Sequence, residues 1–124
     1  MKDSSKKRIL IVDDEKVNLK LSQRILIAKG YEIALAESGK IALQLVHTFR
    51  PDLILLDIRM PLMNGIEVCK TLKNDNNTNH IPVIILSTNH NSEDVQLGQN
   101  AGANGYLFKP IDPDVLISEL NKYL

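Results

Sequence analysis

Side chains that can handle a phosphoryl group follow four short apolar runs of this chain, in each case where the run ends. They are Asp13 and Asp14, Asp57, Ser87 and Thr88, and Lys109. A carboxylate can accept a phosphoryl group, a hydroxyl can donate to its oxygens, and an ammonium or a carboxylate-bound divalent cation can neutralise them. These residue types therefore predict phosphoryl transfer onto an acid, provided that the fold brings them together.

Five apolar runs, including these four, read as β-strands. The predicted strands cover residues 8–12, 32–36, 53–56, 83–86 and 106–108. The first, third and fourth runs are continuously aliphatic, as strands buried on both faces are, whereas the second alternates and the fifth is short, as edge strands are. Segments of helical period separate the strands, which is typical of an α/β domain with a parallel sheet.

Those segments read as five helices, each with an apolar face at helical spacing. The predicted faces are Val17, Leu21, Ile25 and Ala28; Ile41, Ala42, Leu45, Val46 and Phe49; Ile66, Cys69 and Leu72; Val95, Leu97 and Ala101; and Val115, Leu116, Leu120 and Tyr123. The predicted N-caps of the second to fifth helices are Ser38, Asn64, Ser92 and Asp112, the last followed by Pro113. Gly30 and Gly102 are placed to end the first and fourth helices.

Right-handed crossovers place helices on both faces of a parallel sheet only if the winding reverses once. The predicted sheet is therefore doubly wound and flavodoxin-like, with strand order 2-1-3-4-5. Ligands bind such sheets at the carboxyl ends of the strands, where the order reverses. Asp13, Asp14 and Asp57 should meet at this point, between the first and third strands.

Such a cluster of acids requires a positive partner, since two like charges at 4 Å repel by about 4 kcal/mol at an effective dielectric of 20. Oxygen ligands in a solvent-reachable site favour Mg²⁺, with Mn²⁺ as the alternative. Lys109 should arrive from the other side and suit a phosphate oxygen. Asp57 is the preferred acceptor because its strand is central and its end faces both the acidic pair and Lys109.

Composition narrows the class of protein further. The chain has 124 residues with 15 basic and 15 acidic side chains, and zero net charge argues against nucleic acid or an anionic membrane as the main partner. It has no apolar run of about 20 residues, the length that spans a bilayer, and its start is polar. We therefore expect one cytoplasmic domain over residues 1–124, with residues 1–7 as a flexible lead. Cys69 should be a small core residue, and the histidines lack metal-ligand spacing.

Four segments together resemble the receiver domains of two-component response regulators. They are ILIVDDE (residues 9–15), PDLILLDIRMPLMNG (51–65), PVIILST (82–88) and GANGYLFKP (102–110). The combination of an acidic pair, the DxxMP turn followed by NG, and the YxxKP end is specific, and the similarity covers nearly the whole chain. The resemblance implies the CheY-like (βα)5 fold and a signalling role rather than an enzymatic one.

The resemblance also implies roles for individual residues. Asp57 would be phosphorylated by a histidine kinase or a histidine phosphotransfer protein. Asp13, Asp14, Asp57 and the main-chain carbonyl of Arg59 would hold Mg²⁺. Lys109 would contact the phosphoryl group, and its bond to Pro110 would be cis.

Two further residues would convert phosphorylation into a response. Ser87 would be the switch hydroxyl and Tyr106 the aromatic switch. Together they would alter the surface formed by the fourth helix, fifth strand and fifth helix, which an output partner or fused effector domain would read. The sequence identifies neither that partner nor the kinase.

Three residues depart from the family pattern or modulate it. Thr88 lies where the family usually has alanine or glycine, so its side chain should crowd the phosphoryl oxygens and makes Thr88 a rival to Ser87 as the switch hydroxyl. Strand alternation sends Ser87 and Thr88 to opposite faces and favours Ser87. Arg59 and Asn89 occupy positions that influence water attack on the acyl phosphate, and a long cation at Arg59 predicts slow self-dephosphorylation.

Two other functions compete with the signalling role. An aspartate-dependent phosphatase would use Asp57 as a transient nucleophile, but it needs a second acid two residues later, where this chain has Arg59. A binding module with a vestigial pocket is favoured only by Thr88, and the intact set of acids, lysine and hydroxyl argues against it.

Overall fold

The computed structural model describes residues 6–58, 64–87 and 92–124. The strands are Arg8–Val12 (β1), Glu32–Ala36 (β2), Leu53–Asp57 (β3), Val83–Ser87 (β4) and Gly105–Phe108 (β5). The helices are Lys16–Ala28 (α1), Gly39–Phe49 (α2), Gly65–Lys73 (α3), Ser92–Asn100 (α4) and Pro113–Asn121 (α5). The predicted strands are confirmed to within one residue at each end. Most of the expected flexible lead lies outside the described residues.

The strands form one parallel sheet in the order β2-β1-β3-β4-β5, so the predicted topology is confirmed. Every residue of β3 and β4 is buried, whereas most of β2 is only half-buried or exposed. The aliphatic strands are therefore central, as predicted. Val12 pairs with Leu56 and Asp57 pairs with Leu86, so the ends of β1, β3 and β4 lie at one edge of the sheet.

The sheet separates two apolar cores. On one face, alternate strand residues pack against α2, α3 and the residue that follows α4, through side chains such as Val46, Val68 and Ala101. On the other face, the remaining strand residues pack against α1 and α5, through side chains such as Leu26 and Leu116. Burial of both faces explains why β1, β3 and β4 are aliphatic without alternation.

The predicted buried face of α1 is wrong at Val17, Leu21 and Ala28, which are exposed, whereas Ile25 packs against the core as predicted. Val17 and Leu21 are 77% and 52% exposed, and the buried residues are Leu19, Ser22 and Leu26. The helix carries apolar residues on more than one side, so periodicity alone could not select the inner face. Ser22 lies between the two leucines along the buried face.

Smaller corrections of the same kind apply to three other helices. One apolar residue in each is exposed instead of buried: Ile41 at 40%, Leu97 at 43% and Val115 at 51%. Another residue of each predicted face is buried as expected: Val46 in α2, Leu116 in α5, and Ala101 directly after α4. Single exposed apolar side chains are common on protein surfaces, so these errors do not alter the fold.

Three of the four predicted caps are confirmed. The side chains of Ser38, Asn64 and Asp112 accept hydrogen bonds from the first turns of α2, α3 and α5 at 3.2, 3.0 and 2.9 Å. Ser92 is instead the first residue of α4. Gly30 and Gly102 follow α1 and α4 with φ of 93° and 95°, the left-handed conformation that favours glycine.

The revised orientation of α1 predicts a contrast between two leucines of one helix. Leu26→Ala should lower the free energy of unfolding by about 2–5 kcal/mol, because a fully buried side chain leaves a cavity. Leu21→Ala should change it by less than about 0.5 kcal/mol, because surface substitutions rarely do more. Urea denaturation measures both changes. A larger effect at Leu21 than at Leu26 would support the face predicted from the sequence.

Candidate functional site

Three carboxylates meet where the first and third strands end. Asp13 and Asp57 are buried, Asp14 is exposed, and each offers an oxygen within 4.8 Å of the others. The main-chain N–H of Asp13 donates to the Ala36 carbonyl at 3.1 Å, which ties this residue to β2. Its Oδ1 accepts from the Glu15 N–H at 3.0 Å. The fold therefore brings the acids together and fixes the orientation of Asp13.

Lys109 supplies a positive charge to this cluster. Its Nζ lies 2.8 Å from Asp13 Oδ2 and 3.6 Å from Asp57 Oδ1, and its side chain is 10% exposed. Its main-chain N–H donates to the Ser87 carbonyl at 2.8 Å, and the Lys109–Pro110 bond is cis, as the resemblance implies. Burial alone would lower the pKa of Lys109, but the hydrogen bond to Asp13 and the nearby acidic charges outweigh burial and raise it. Lys109 is therefore a permanent cation at neutral pH.

The donor set suits a hard divalent cation. Asp13, Asp14 and Asp57 offer only oxygen ligands, and one ammonium against three carboxylates leaves an excess of negative charge that a doubly charged ion would balance. In the described part of the chain these acids are the only group of His, Cys, Asp and Glu side chains placed to hold a metal ion. His47 and His80 belong to no such group within the described residues.

Gly65 packs against the main chain at Asp57 and Ile58, a role that was not predicted from the sequence. Its N–H donates to the Ile58 carbonyl at 2.9 Å. A Cβ at this position would lie 2.8 Å from the Ile58 Cα and closer still to the Asp57 carbonyl oxygen, a distance that real Cβ atoms do not show. The start of α3 can therefore approach the end of β3 only with glycine here. The NG dipeptide after the third strand was the available signal.

Ser87 and Tyr106 lie on the sheet face that packs against α4. Ser87 ends β4 and is fully buried, and Tyr106 on β5 pairs with Ile85 of β4. The Tyr106 hydroxyl donates to the Asp94 carbonyl in the first turn of α4. Burial raises the pKa of this hydroxyl, although a hydrogen bond from the Gly98 N–H lowers it in part. The tyrosine thus links β5 to the α4 main chain.

Three candidate residues lie outside the described part of the chain. They are Arg59, Thr88 and Asn89. The expected metal contact from the Arg59 carbonyl, the crowding by Thr88 and the choice between Ser87 and Thr88 as the switch hydroxyl therefore stay predictions.

Cys69 is a core residue of α3, as predicted. It is fully buried, and its Sγ donates to the Ala101 carbonyl at 3.6 Å. Burial raises the pKa of its thiol more than the charge of Lys73 lowers it. The thiolate is therefore suppressed in the folded chain.

We expect Cys69 to resist iodoacetamide at about pH 8 in the native protein and to react fully after unfolding in urea. Because folding raises the thiol pKa, the contribution of this group to stability is lost as the pH rises above the pKa of the unfolded thiol. Intact mass spectrometry measures the alkylation. Fast reaction under native conditions would show that α3 opens readily.

Among the described residues, no helix is both long enough and apolar enough to cross a bilayer.

Comparison with known proteins gives consistent similarities. The model of the response regulator receiver domain family matches residues 9–121. The chain is 44% identical over its full length to a probable cyclic di-GMP phosphodiesterase of Vibrio cholerae, of which it covers 28%. It is 38% identical over 118 residues to the polar-differentiation response regulator DivK of Brucella anthropi, covering 95% of this chain and 96% of DivK.

The fold has close structural neighbours as well. The chemotaxis protein CheY4 of Vibrio cholerae superposes with a TM-score of 0.92 at 32% identity, covering 97% of this chain and all of that one. Some relatives are much longer than the chain, which spans about a quarter of the length of the phosphodiesterase.

Proposed function

Because this chain belongs to the response regulator receiver domain family, whose members are phosphoacceptors in two-component signalling, we propose that Asp57 accepts the phosphoryl group. The observation that carries this assignment is the placement of the Asp57 carboxylate. It is buried at the end of the central strand, 3.6 Å from the Lys109 ammonium and beside two further acids. Of the three acids, Asp57 alone lies on a strand. That strand pairs with β4, whose last residue is Ser87.

The reaction is a displacement at phosphorus. An Asp57 carboxylate oxygen attacks the phosphorus of a phosphohistidine, the P–N bond breaks, and the electron pair of that bond leaves with the imidazole. Lys109 neutralises a phosphoryl oxygen, and its hydrogen bond to Asp13 holds the ammonium in position. Asp13, Asp14 and Asp57, with the Arg59 carbonyl, would hold Mg²⁺, or Mn²⁺ as the alternative, and the bound ion would neutralise further charge on the transferred group.

Phosphorylation then acts through the neighbouring strands. The new anionic oxygens attract the Ser87 hydroxyl, and the space that Ser87 leaves favours a different position of the Tyr106 ring. The surface of α4, β5 and α5 changes with it. A coupling of about 1–3 kcal/mol, typical of such switches, is enough to change which output partner binds.

The donor is a cytoplasmic histidine kinase or histidine phosphotransfer protein, and the output is a separate partner or an effector domain joined to this one. The chain acts as a phosphoacceptor and not as a turnover enzyme. Arg59 and Asn89 set its self-dephosphorylation, and the long cation at Arg59 makes this reaction slow.

Treatment with acetyl phosphate and Mg²⁺ tests the assignment, with intact mass spectrometry as the readout. The unsubstituted protein should gain one phosphoryl group, and Asp57→Ala or removal of Mg²⁺ by a chelator should abolish the gain. Asp52→Asn is the matched control, since Asp52 is an exposed acid just before the same strand, and it should react normally. Modification that persists in Asp57→Ala would overturn the assignment.

A further inference from the structure

The Tyr106 ring occupies the space that a side chain at position 98 would need. A Cβ built on Gly98 would lie 2.6 Å from both Cε2 and Cζ of Tyr106, and closer still to its hydroxyl oxygen. Real Cβ atoms do not approach other atoms this closely. The ring can therefore lie against α4 in this position only because residue 98 is glycine.

The main chain of α4 binds the hydroxyl of the same ring. The Tyr106 O–H donates to the Asp94 carbonyl, and the phenol oxygen lies against Gly98. Asp94 and Gly98 are four residues apart, so they are the carbonyl and amide partners of one helical turn. The tyrosine thus inserts its hydroxyl at this turn, and it does so where the helix has no side chain to block it.

Glycine at this place is otherwise unfavourable. Gly98 lies inside the nine-residue helix α4, and glycine is the worst helix former after proline. The contact with Tyr106 offers a physical reason for a residue that weakens the helix.

We propose that Gly98 is a positioning residue for Tyr106, which makes α4 a main-chain docking site for the aromatic ring and selects the ring position seen here. The proposal rests on the proposed function in one respect, that Tyr106 takes part in the phosphorylation switch. A larger residue at position 98 displaces the ring from α4 and so shifts the switch without altering the acids that receive the phosphoryl group.

A double-mutant cycle tests the proposal, because Gly98→Ala should change the melting temperature in opposite directions with and without the Tyr106 ring. In a Tyr106→Ala background, Gly98→Ala should raise the melting temperature by about 3 °C, because alanine is the better helix former. In the unsubstituted background, the same change should lower the melting temperature, because the methyl group meets the ring. If Gly98→Ala fails to fold, the double variant should recover folding. Failure of both, or an equal rise in both backgrounds, would overturn the proposal.

A spectroscopic readout separates ring position from helix stability. In protein labelled with 3-fluorotyrosine, the ¹⁹F resonance of Tyr106, assigned from its loss in Tyr106→Phe, should move toward that of the free amino acid in Gly98→Ala. Gln99→Ala, an exposed change in the same helix, is the control and should leave the resonance in place. An unmoved resonance in Gly98→Ala would overturn the proposal. These measurements need no phosphoryl donor, so failed phosphorylation of Asp57 would contradict the proposed function and leave this result standing.

Discussion

Lys109→Met should be phosphorylated by acetyl phosphate about 100-fold more slowly than the unsubstituted protein, the usual effect of removing one preorganised group that stabilises developing charge. Lys109 is the cation that contacts both Asp13 and Asp57, at 2.8 and 3.6 Å. Methionine keeps much of the length of the side chain and removes the charge and the hydrogen bond to Asp13. The rate of mass gain under Mg²⁺ saturation measures the effect.

The same substitution should lower the free energy of unfolding by about 3 kcal/mol, because it leaves buried carboxylates without their counter-charge. Mg²⁺ should then raise the melting temperature of Lys109→Met more than that of the unsubstituted protein, since a bound cation replaces the missing charge. Lys122→Met is the control, because the Lys122 side chain is 63% exposed and lies 3.0 Å from Glu119, away from the acidic cluster, so the change should affect neither property. Equal behaviour of the two variants would refute the role of Lys109.

Gly65→Ala should impair both folding and phosphorylation, with a loss of about 3 kcal/mol in the free energy of unfolding, the upper range for overpacking. The added Cβ would overlap the main chain of Asp57 and Ile58, and main-chain atoms of a buried strand cannot move aside cheaply. The end of β3 must therefore shift relative to the other acids, and acetyl phosphate should modify Asp57 more slowly.

Gly30→Ala is the control for Gly65→Ala. Gly30 has a left-handed φ of 93° but no atom within 4 Å of an added Cβ. Gly30→Ala should lower the free energy of unfolding by only about 1 kcal/mol, through backbone strain, and should leave phosphorylation unchanged. Urea denaturation and intact mass give both quantities. A Gly65→Ala protein with normal stability and a normal rate would mean that α3 moves freely relative to β3.

The sheet could be predicted because its determinants are local in the sequence. Continuous aliphatic runs mark strands buried on two faces, and the short or alternating runs mark edges, which together give the order of β1 to β5. Once that order is known, Asp13, Asp57 and Lys109 must lie at one edge, because each stands at the carboxyl end of a strand. The structure adds the distances between them.

Features that depend on how two elements approach each other could not be read from one sequence. Helix α1 has apolar residues on more than one side, and only contact with the sheet selects Leu19 and Leu26 over Val17 and Leu21. Gly98 reads as an interruption of a thin helix until the Tyr106 ring is seen against it. In each case the contact between two different elements of the fold decides which residue is buried or tolerated.

The two cores on opposite faces of the sheet have a consequence for engineering. Side chains such as Leu26 and Val68 belong to different cores, with a layer of backbone between them. Losses from volume changes at such sites should be additive, whereas changes within one core should interact, because only neighbours share a cavity. The core that contains Tyr106 can therefore be repacked while the core on the α1 and α5 side keeps its full contribution to stability.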